Sequence, residues 1–409
     1  MKIAILTNDY PPESKGGAGR IAATYAKLLE KRGHEIRVWG PSDSFRSLAR
    51  KSAPCRLIFH LKDLKPQKGI VDEIISWQPD VLISHNLTGC GIATPRRILS
   101  AVRGTRHAGL RWIHFLHDVQ LYEPSGQIMH GESSKWLRAP WRSLWAGLRR
   151  RALGNPDTVV SPTRWLLEQH IARGFFGQSG QEVIPNPISF FCHPLLSSRA
   201  QTRDLGVGPG SEAGMTDNAG TTMDSRLHGN DAGDTRMAEG GRDQKQVLFV
   251  GRLDADKGVG LLIKAWPILR DSVGRLVFVG EGKMRSAIGK IGDSKIEIRG
   301  SLAPHDVAQE MEESGIVVVP SLVMENQPTV ILEALSCGCK VVASDVGGIP
   351  ETLGKAGVIF KAGNVEALAQ AIQDALALDF DAALAEDVLK LHDPSVCVDA
   401  LEGLLKSNL

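Results

Sequence analysis

The chain lacks the features of a membrane-spanning or exported protein. No apolar run approaches the roughly 20 residues that a helix needs to cross a bilayer, and aromatic residues make up only 5% of the 409 residues. The start, Met1–Thr7, predicts a short strand and not a signal peptide, because Asn8 and Asp9 interrupt the apolar stretch too early. These observations predict a cytoplasmic protein.

Motifs for disulfides, structural zinc and dinucleotide binding are also lacking. The six cysteines form no Cys-x-x-Cys pair, and Cys337 and Cys339 are too close in sequence for a relaxed disulfide. The Gly-x-Gly-x-x-Gly pattern of nicotinamide enzymes does not follow the first strand. Asp254 and Asp256 have the Asp-x-Asp spacing of a metal-binding motif, but they lie inside a cationic turn. We therefore expect buried thiols, no cofactor and no metal.

Charge is present but is unevenly divided. Residues 1–190 carry 27 Lys and Arg against 15 Asp and Glu, whereas residues 191–409 carry 21 against 31. A basic N-terminal half is typical of a protein that meets an anionic substrate or surface, although uneven decoration of a solvated surface remains an alternative. Nucleic acid is not expected as a partner, because no nucleic-acid module or aromatic stacking pattern accompanies the charge.

Short apolar runs recur along both halves and predict strands that are covered on both faces. The predicted strands are Lys2–Thr7, Glu35–Trp39, Leu57–His60, Val81–Ser84, Trp112–Leu116, Thr158–Ser161, Val247–Val250, Leu276–Val279, Ile296–Arg299, Ile316–Pro320 and Lys340–Ser344. Helical stretches between them indicate an α/β protein with two doubly wound, Rossmann-like domains. Ligands are expected at the carboxyl ends of the strands, in the cleft between the domains.

A composition break separates the two halves. Residues 200–243 contain nine glycines, one valine and no aromatic residue, which is too little apolar surface to offset the entropy of ordering. We interpret residues 191–246 as a hinge with a low-complexity insertion. The predicted domains are then 1–190 and 247–409, and the last helix is expected to pack back on the first domain.

A glycine-bounded cationic turn follows the predicted strand Val247–Val250. It has the sequence Gly-Arg-Leu-Asp-Ala-Asp-Lys-Gly, so that Arg252 and Lys257 stand at the carboxyl end of the strand. Arginine suits bidentate phosphate recognition and lysine supplies a compact charge. A solvated loop is the alternative interpretation, since charged residues commonly follow strands.

An acidic segment lies downstream, with Glu325 before a predicted helix and Glu333 inside it. Pro328 suits the first helical position, and the free N–H groups of Thr329 and Val330 then form an anion site at the helix start. An ordinary capped helix with surface glutamates is the alternative. Together, the cationic turn and this segment match a nucleotide-diphosphate sugar, which needs cations for its diphosphate and acceptors for its hydroxyls.

These two motifs resemble the retaining glycosyltransferases of family 4, which have the GT-B fold. The shared features are the Gly-Arg-Leu…Lys-Gly turn and the Glu-x7-Glu spacing, and similarity is strongest from residue 247 to about residue 360. The resemblance implies that Arg252 and Lys257 bind the donor diphosphate, Glu333 the ribose and Glu325 the transferred sugar. Many members have Gly-Phe-Gly where this chain has Asn-Gln-Pro at 326–328.

The N-terminal half offers further candidates. The glycine-rich loop after the first strand contains Gly17, which the resemblance places against the donor phosphates; a flexible turn is the alternative. His117 and Asp118 follow a predicted strand, and the resemblance implies a catalytic role for His117 beside the transferred sugar; a structural or solvated histidine is the alternative. His85 and Asp118 are candidates for the acceptor side.

The segment Trp136–Arg151 combines tryptophans with cations. Trp141, Leu144, Trp145 and Leu148 recur at helical spacing, with Arg142, Arg149 and Arg150 beside them. A basic amphipathic helix of this kind can lie in an anionic membrane interface. The alternative is a helix that packs on the protein's own core.

The function predicted from these observations is transfer of a sugar, with retention, from a UDP- or GDP-linked donor to a hydroxyl acceptor. The acceptor is expected to be a polysaccharide or a lipid-linked molecule, which would place the enzyme at the inner face of a membrane in cell-surface polysaccharide, cell-wall or glycolipid biosynthesis. The alternatives are an NDP-sugar epimerase or hydrolase of the same fold and a non-catalytic NDP-sugar-binding protein.

Overall fold

The computed structural model describes residues 1–11, 17–41, 53–103, 109–123, 126–130, 141–188 and 242–406. The predicted insertion at 200–243 and the region around Trp136 fall almost entirely outside these ranges. Within the described ranges, none of the helices combines the length and the apolar character that crossing a bilayer demands. Four cysteines whose side chains the structure describes, Cys90, Cys337, Cys339 and Cys397, are buried free thiols.

The first domain is a parallel sheet in the order β2-β1-β3-β4-β5-β6 with helices on both faces. The elements in its described residues are β1 (Lys2–Leu6), α1 (Gly17–Lys31), β2 (Glu35–Trp39), α2 (Ala53–Lys62), α3 (Lys68–Trp77), β3 (Val81–Ser84), α4 (Thr94–Val102), β4 (Arg111–Phe115), α5 (Trp141–Leu153), β5 (Thr158–Ser161), α6 (Arg164–Ile171) and β6 (Gly180–Val183).

The second domain is a parallel sheet in the order β12-β11-β10-β7-β8-β9. Its elements are β7 (Asp243–Val250), a 3₁₀ turn (Ala255–Lys257), α7 (Val259–Leu269), β8 (Arg275–Val279), α8 (Arg285–Gly289), β9 (Ile296–Gly300), α9 (Pro304–Glu313), β10 (Ser314–Val319), α10 (Thr329–Ser336), β11 (Lys340–Ser344), α11 (Ile349–Leu353), β12 (Val358–Phe360), α12 (Val365–Ala377), α13 (Ala382–Leu391) and α14 (Pro394–Lys406).

The predicted α/β class with two doubly wound sheets is confirmed. Each sheet has a buried apolar cluster on both faces, as expected for parallel strands that are covered by helices. The strands of the centre, such as Val81–Ser84 and Ser314–Val319, are entirely buried. Their near-continuous apolar composition explains why the sequence predicts them well.

The errors in the strand prediction fall at short or weakly apolar segments. Leu57–His60 was predicted as a strand but belongs to helix α2, because a four-residue apolar run has no periodicity that separates strand from helix. Two edge strands were missed. Gly180–Val183 is largely exposed and polar, and Val358–Phe360 has only three residues.

The last helix, α14, lies against the first domain. Cys397, Val398 and Leu401 are buried in one cluster with residues of β1 and α1. Arg111 of β4 donates a hydrogen bond from Nη1 to the carbonyl oxygen of Leu404, at 2.7 Å. This return of the chain ties the C-terminal helix to the first domain. The domain boundaries themselves stay a prediction.

Candidate active site

The cationic turn and the acidic loop meet at the carboxyl edge of the second sheet. Lys257 lies after β7 and Glu325 after β10, and these strands are neighbours. Lys257 Nζ donates to Glu325 Oε1 at 2.7 Å, and Ser321 Oγ donates to the same oxygen at 2.7 Å. The two motifs, 68 residues apart in sequence, therefore form one cluster.

The backbone of the turn explains why glycine is needed at position 258. Gly258 has φ +76°, and a Cβ there would lie 1.7 Å from the carbonyl oxygen of Pro320. Asp256 directly precedes Lys257, and its carbonyl oxygen accepts hydrogen bonds from Leu322 N at 2.8 Å and Val323 N at 3.0 Å. The turn is thus fastened to the loop that carries Glu325.

Arg252 is held by two carboxylates of its own turn. Its Nη1 and Nη2 lie 2.6 Å from Asp254 Oδ2 and 2.6 Å from Asp256 Oδ2, respectively. Asp254 also accepts a hydrogen bond from Lys283 N through Oδ1, at 3.0 Å. These carboxylates shape the loop, while the Arg252 side chain remains 54% exposed at its mouth.

Helix α10 begins one residue later than the sequence predicts. Pro328 is the N-cap, in an extended conformation, and not the first helical residue. Its fixed φ fits both positions, so the residue type alone does not separate them. Thr329 and Val330 occupy the first two helical positions, where backbone N–H groups have no partner within the helix.

Glu333 lies one turn into α10, half-buried beside the helix start. Its side chain accepts a hydrogen bond from that of Thr329. Burial raises the pKa of the Glu333 carboxyl, and the Thr329 hydrogen bond and the charge of Arg20 oppose that shift. The carboxyl is therefore positioned by its own helix and faces a cation of the first domain.

Arg20 is a residue of this site that the sequence analysis missed. It lies on α1, one turn after Gly17, and its charge acts on Glu333. Gly17 is exposed at the start of α1, with open space where a side chain would stand. The glycine-rich start of α1 thus faces the start of α10 across the cleft. The sequence did contain a signal for Arg20, because it is a cation one turn into a helix that begins with glycines.

Two glycines after β11, Gly347 and Gly348, pack against the loop that carries Glu325. Gly348 N donates to the carbonyl oxygen of Glu325 at 2.7 Å. A Cβ on Gly347, which has φ +61°, would lie 2.1 Å from that same oxygen. These glycines allow two backbone segments to pack directly against each other, which fixes the position of the Glu325 backbone.

Residues 326 and 327 bridge the two domains. Thr163 Oγ1 donates to Asn326 Oδ1 at 2.6 Å, and Asn326 Nδ2 donates to the carbonyl oxygen of His117 at 3.2 Å. Asn186 N donates to Gln327 Oε1 at 3.0 Å. The amide side chains that stand in place of glycine and phenylalanine therefore set how the first domain sits on the Glu325 loop.

Another carboxylate strengthens this contact. Glu351 of α11 accepts hydrogen bonds from the backbone N–H groups of Arg164 at 2.7 Å and Trp165 at 3.1 Å. These groups begin α6 in the first domain, so Glu351 satisfies donors that the helix itself leaves unpaired.

The first domain places His117, Asp118 and His85 together where β3 and β4 end. His117 is half-buried and its carbonyl oxygen touches Asn326. Asp118 accepts a hydrogen bond from Asn86 Nδ2 at 3.0 Å, and burial raises its pKa to about 6. His85 has no solvent exposure. It was expected on the acceptor side, but it lies behind His117 and reaches the cleft only through that residue.

The described side chains contain no group of three His, Cys, Asp or Glu suited to a metal ion. A cavity of about 750 Å³, lined by Arg242, Lys340 and Phe380 among others, lies where the strands of the second sheet begin. That edge is opposite the candidate site, and none of the site residues line it.

Two Rossmann-like domains with charged loops at the facing strand ends define a protein of the GT-B fold. Two family models match the chain: Glycosyltransferase Family 4 over residues 15–190 and Glycosyl transferases group 1 over residues 244–377. The matches span 310 of the 409 residues. Each half of the chain therefore matches a glycosyltransferase family model, which supports a glycosyltransferase of the family 4 type.

Curated relatives are similar over nearly the whole chain. A putative teichuronic acid biosynthesis glycosyltransferase, TuaC, of Bacillus subtilis is 27% identical, with 91% of this chain and 88% of the relative covered. A GDP-mannose-dependent alpha-(1-6)-phosphatidylinositol monomannoside mannosyltransferase of Mycolicibacterium smegmatis is 26% identical, with the same shares covered.

Solved structures share the fold. HepE of Anabaena in complex with UDP superimposes with a TM-score of 0.62 at 18% identity, with 100% of both chains covered. Sucrose-phosphate synthase of Thermosynechococcus elongatus gives a TM-score of 0.64 at 17% identity, with 99% of this chain and 98% of that chain covered. At these identities the likeness concerns the fold.

Proposed function

We propose that this glycosyltransferase moves a sugar, with retention, from a nucleotide-diphosphate sugar to a hydroxyl acceptor in the synthesis of a cell-surface polysaccharide or a glycolipid. The observation that carries the proposal is the contact between Lys257 and Glu325 beside the start of α10. It places a cation, a carboxylate and free backbone N–H groups in one cleft. A structural neighbour solved with UDP and a GDP-mannose-dependent relative support such a donor.

Each group has a role that follows from its position. Lys257 and the exposed guanidinium of Arg252 neutralise the charge that grows on the departing diphosphate. The N–H groups of Thr329 and Val330 bind phosphate oxygens, with Gly17 approaching from the first domain. Glu333 accepts from the ribose hydroxyls and Glu325 from those of the transferred sugar. His117 faces the sugar from the acceptor side, and Asp118 shapes that side of the cleft.

Retention is proposed to occur at one face of the sugar. Among the described residues of the site, Glu325 is paired with Lys257 and Glu333 is assigned to the ribose, which leaves no pair of free carboxylates for a double displacement. The acceptor hydroxyl would then attack from the side that the diphosphate leaves, and a diphosphate oxygen would take the proton. No metal ion or other cofactor is needed for this proposal.

A donor panel tests the proposal. Thermal unfolding with UDP, GDP and their glucose, N-acetylglucosamine and mannose derivatives should show selective stabilisation by one nucleotide, because a ligand that binds the native state raises its stability by mass action. NMR of the product with a simple hydroxyl acceptor should show the donor's anomeric configuration. An inverted product would reject retention, and release of free or epimerised sugar as the only reaction would favour a hydrolase or epimerase.

The membrane part of the proposal concerns α2 and α5. Four aliphatic side chains on these helices are exposed: Ile58 (47%), Leu61 (48%), Leu144 (66%) and Leu148 (41%). The rings of His60 and Trp145 lie 6.0 Å apart, so the two helices are neighbours. We call these four side chains the α2–α5 patch.

The charge at the patch favours an anionic lipid surface as its occupant. Lys62, Arg150 and Arg151 are exposed at the ends of the same helices. Arg149, which was expected beside them, is instead only 1% exposed; it donates to the carbonyl oxygen of Gln120 and lies in the field of Asp63 and Asp118. Exposed aliphatic side chains with cations beside them are typical of proteins that rest on anionic membranes from the cytoplasmic side.

Replacing both Leu144 and Leu148 by serine should weaken binding to phosphatidylglycerol vesicles at least fivefold in a sedimentation assay, because two apolar side chains no longer enter the lipid. The matched control replaces Ile268 and Leu378, which are 47% and 54% exposed on the second domain. Equal loss in both variants, or no binding by the parent protein, would contradict membrane docking through the patch.

A further inference from the structure

His85 and His117 share one hydrogen bond beneath the cleft. His85 Nδ1 lies 2.8 Å from His117 Nε2, and the rings are nearly parallel with centroids 5.1 Å apart. On its other side, His85 is stacked on Phe115 with centroids 4.9 Å apart. Both positions follow strand ends of the first domain, and His85 lies buried behind His117.

Both imidazoles are neutral near pH 7. Burial lowers the pKa of His117 to about 4 and that of His85 well below its ordinary value, where the charges of His117 and His114 add to the effect. Each ring then carries a single proton. A contact of 2.8 Å between two ring nitrogens needs a donor on one side and an acceptor on the other.

Two arrangements of these protons satisfy the shared bond. In the first, His85 donates from Nδ1–H, so that His117 carries its own proton on Nδ1. In the second, His117 donates from Nε2–H, and His85 must then carry its proton on Nε2. The second arrangement buries that N–H, because His85 Nε2 is a buried atom without a hydrogen-bond partner.

The unpartnered His85 Nε2 decides between them. A buried N–H donor without a partner is rarer in proteins than an under-satisfied acceptor. His117 Nδ1 is not among the buried atoms that lack a partner, and His117 is only half-buried, so this atom is not enclosed as His85 Nε2 is. A proton on His117 Nδ1 therefore costs less free energy than a proton on the buried, unpartnered His85 Nε2.

We propose that His85 is a positioning residue that donates from Nδ1–H to His117 and thereby fixes His117 as the Nδ1–H tautomer. His117 then presents a hydrogen-bond donor to the cleft and not a base. The tautomer does not depend on the proposed function. The role of this tautomer in the reaction does rest on that function. The His117 N–H would donate to an oxygen of the donor sugar or its phosphate, and the acceptor's proton would go to a diphosphate oxygen and not to His117.

The tautomer can be measured directly. In long-range ¹H–¹⁵N spectra of the whole protein with labelled histidine, His117 should show the coupling pattern of the Nδ1–H form at pH 7, assigned by comparison with His117→Gln. The Nε2–H pattern in the parent protein would overturn the proposal. This result is independent of donor binding, so it separates failure here from failure of the proposed function.

Variants at position 85 test the consequence for turnover. His85→Asn keeps an amide N–H close to the place of Nδ1–H, whereas His85→Phe keeps the ring and removes the donor. We expect His85→Phe to lower kcat at least tenfold with the donor KM within twofold, and His85→Asn to recover most of the rate and the Nδ1–H pattern. Equal loss in both variants, or an unchanged His117 tautomer in His85→Phe, would contradict the role. If His85→Phe does not fold, the spectra of the parent and His85→Asn still decide.

Discussion

Replacing Lys257 by alanine is expected to reduce the affinity for UDP or GDP by about 10- to 150-fold. The reason is that a charge-assisted hydrogen bond contributes about 1.5–3 kcal/mol and each 1.4 kcal/mol is a factor of ten. The variant also leaves Glu325, whose side chain is 17% exposed, as an unpaired carboxylate next to an anionic ligand. Isothermal titration of each nucleotide measures the change.

The control for this variant is Lys264→Ala. Lys264 is an exposed cation on α7 of the same domain, so it tests whether general positive charge is enough. Its removal should leave nucleotide affinity within twofold. Arg252→Ala should behave like Lys257→Ala, although more weakly, because Asp254 and Asp256 already neutralise part of that guanidinium. If Lys257→Ala and Arg252→Ala both bind UDP and GDP as the parent does, the cationic turn is not the diphosphate site.

Gly258→Ala should destabilise the second domain by about 2–5 kcal/mol and also abolish tight nucleotide binding. The new Cβ would need the left-handed φ of +76° and would lie 1.7 Å from the Pro320 carbonyl oxygen, so the turn must move. The left-handed backbone conformation and the steric overlap each contribute about 1–3 kcal/mol of strain. Thermal unfolding would show a fall of about 5–15 °C for a domain of this size.

Gly260→Ala is the matched control, two residues further along. A Cβ there is in ordinary contact with Met284 Cε at 3.6 Å, and the residue is helical, where alanine is preferred to glycine. We expect its melting temperature to equal or exceed that of the parent, with normal nucleotide binding. A parent-like melting temperature and affinity in Gly258→Ala would mean that the loop is not held as the structure shows.

The positions along the chain at which functional groups appear could be predicted because of a general property of parallel sheets. Apolar runs such as Ser314–Val319 identify themselves, and their carboxyl ends all face one edge. Charged residues directly after such runs, including Lys257 and Glu325, must therefore lie near one another if their strands are neighbours. The family resemblance added roles for these residues, which stay proposals.

Contacts that depend on the docking of the two domains were beyond sequence reasoning. The Thr163–Asn326 bond joins residues 163 positions apart, and the charge of Arg20 acts on Glu333 across the cleft. Nothing in the local pattern around Asn326 indicates that its amide would bridge to Thr163 and His117. The same holds for Arg149, since a cation at helical spacing beside apolar residues resembles a solvated one until its buried carboxylate neighbours are known.

The amino-acid sequence by itself determined the alternation of strands and helices, the edge at which the chemistry gathers and the two motifs that stand there, because these depend on local periodicity and on glycines that fit one backbone conformation. Only the tertiary structure decided that Pro328 caps α10, that Leu57–His60 is helical and that His85 lies behind His117. Those outcomes depend on packing between segments that are far apart in the chain. The free energy of such packing cannot be inferred from a short stretch of sequence.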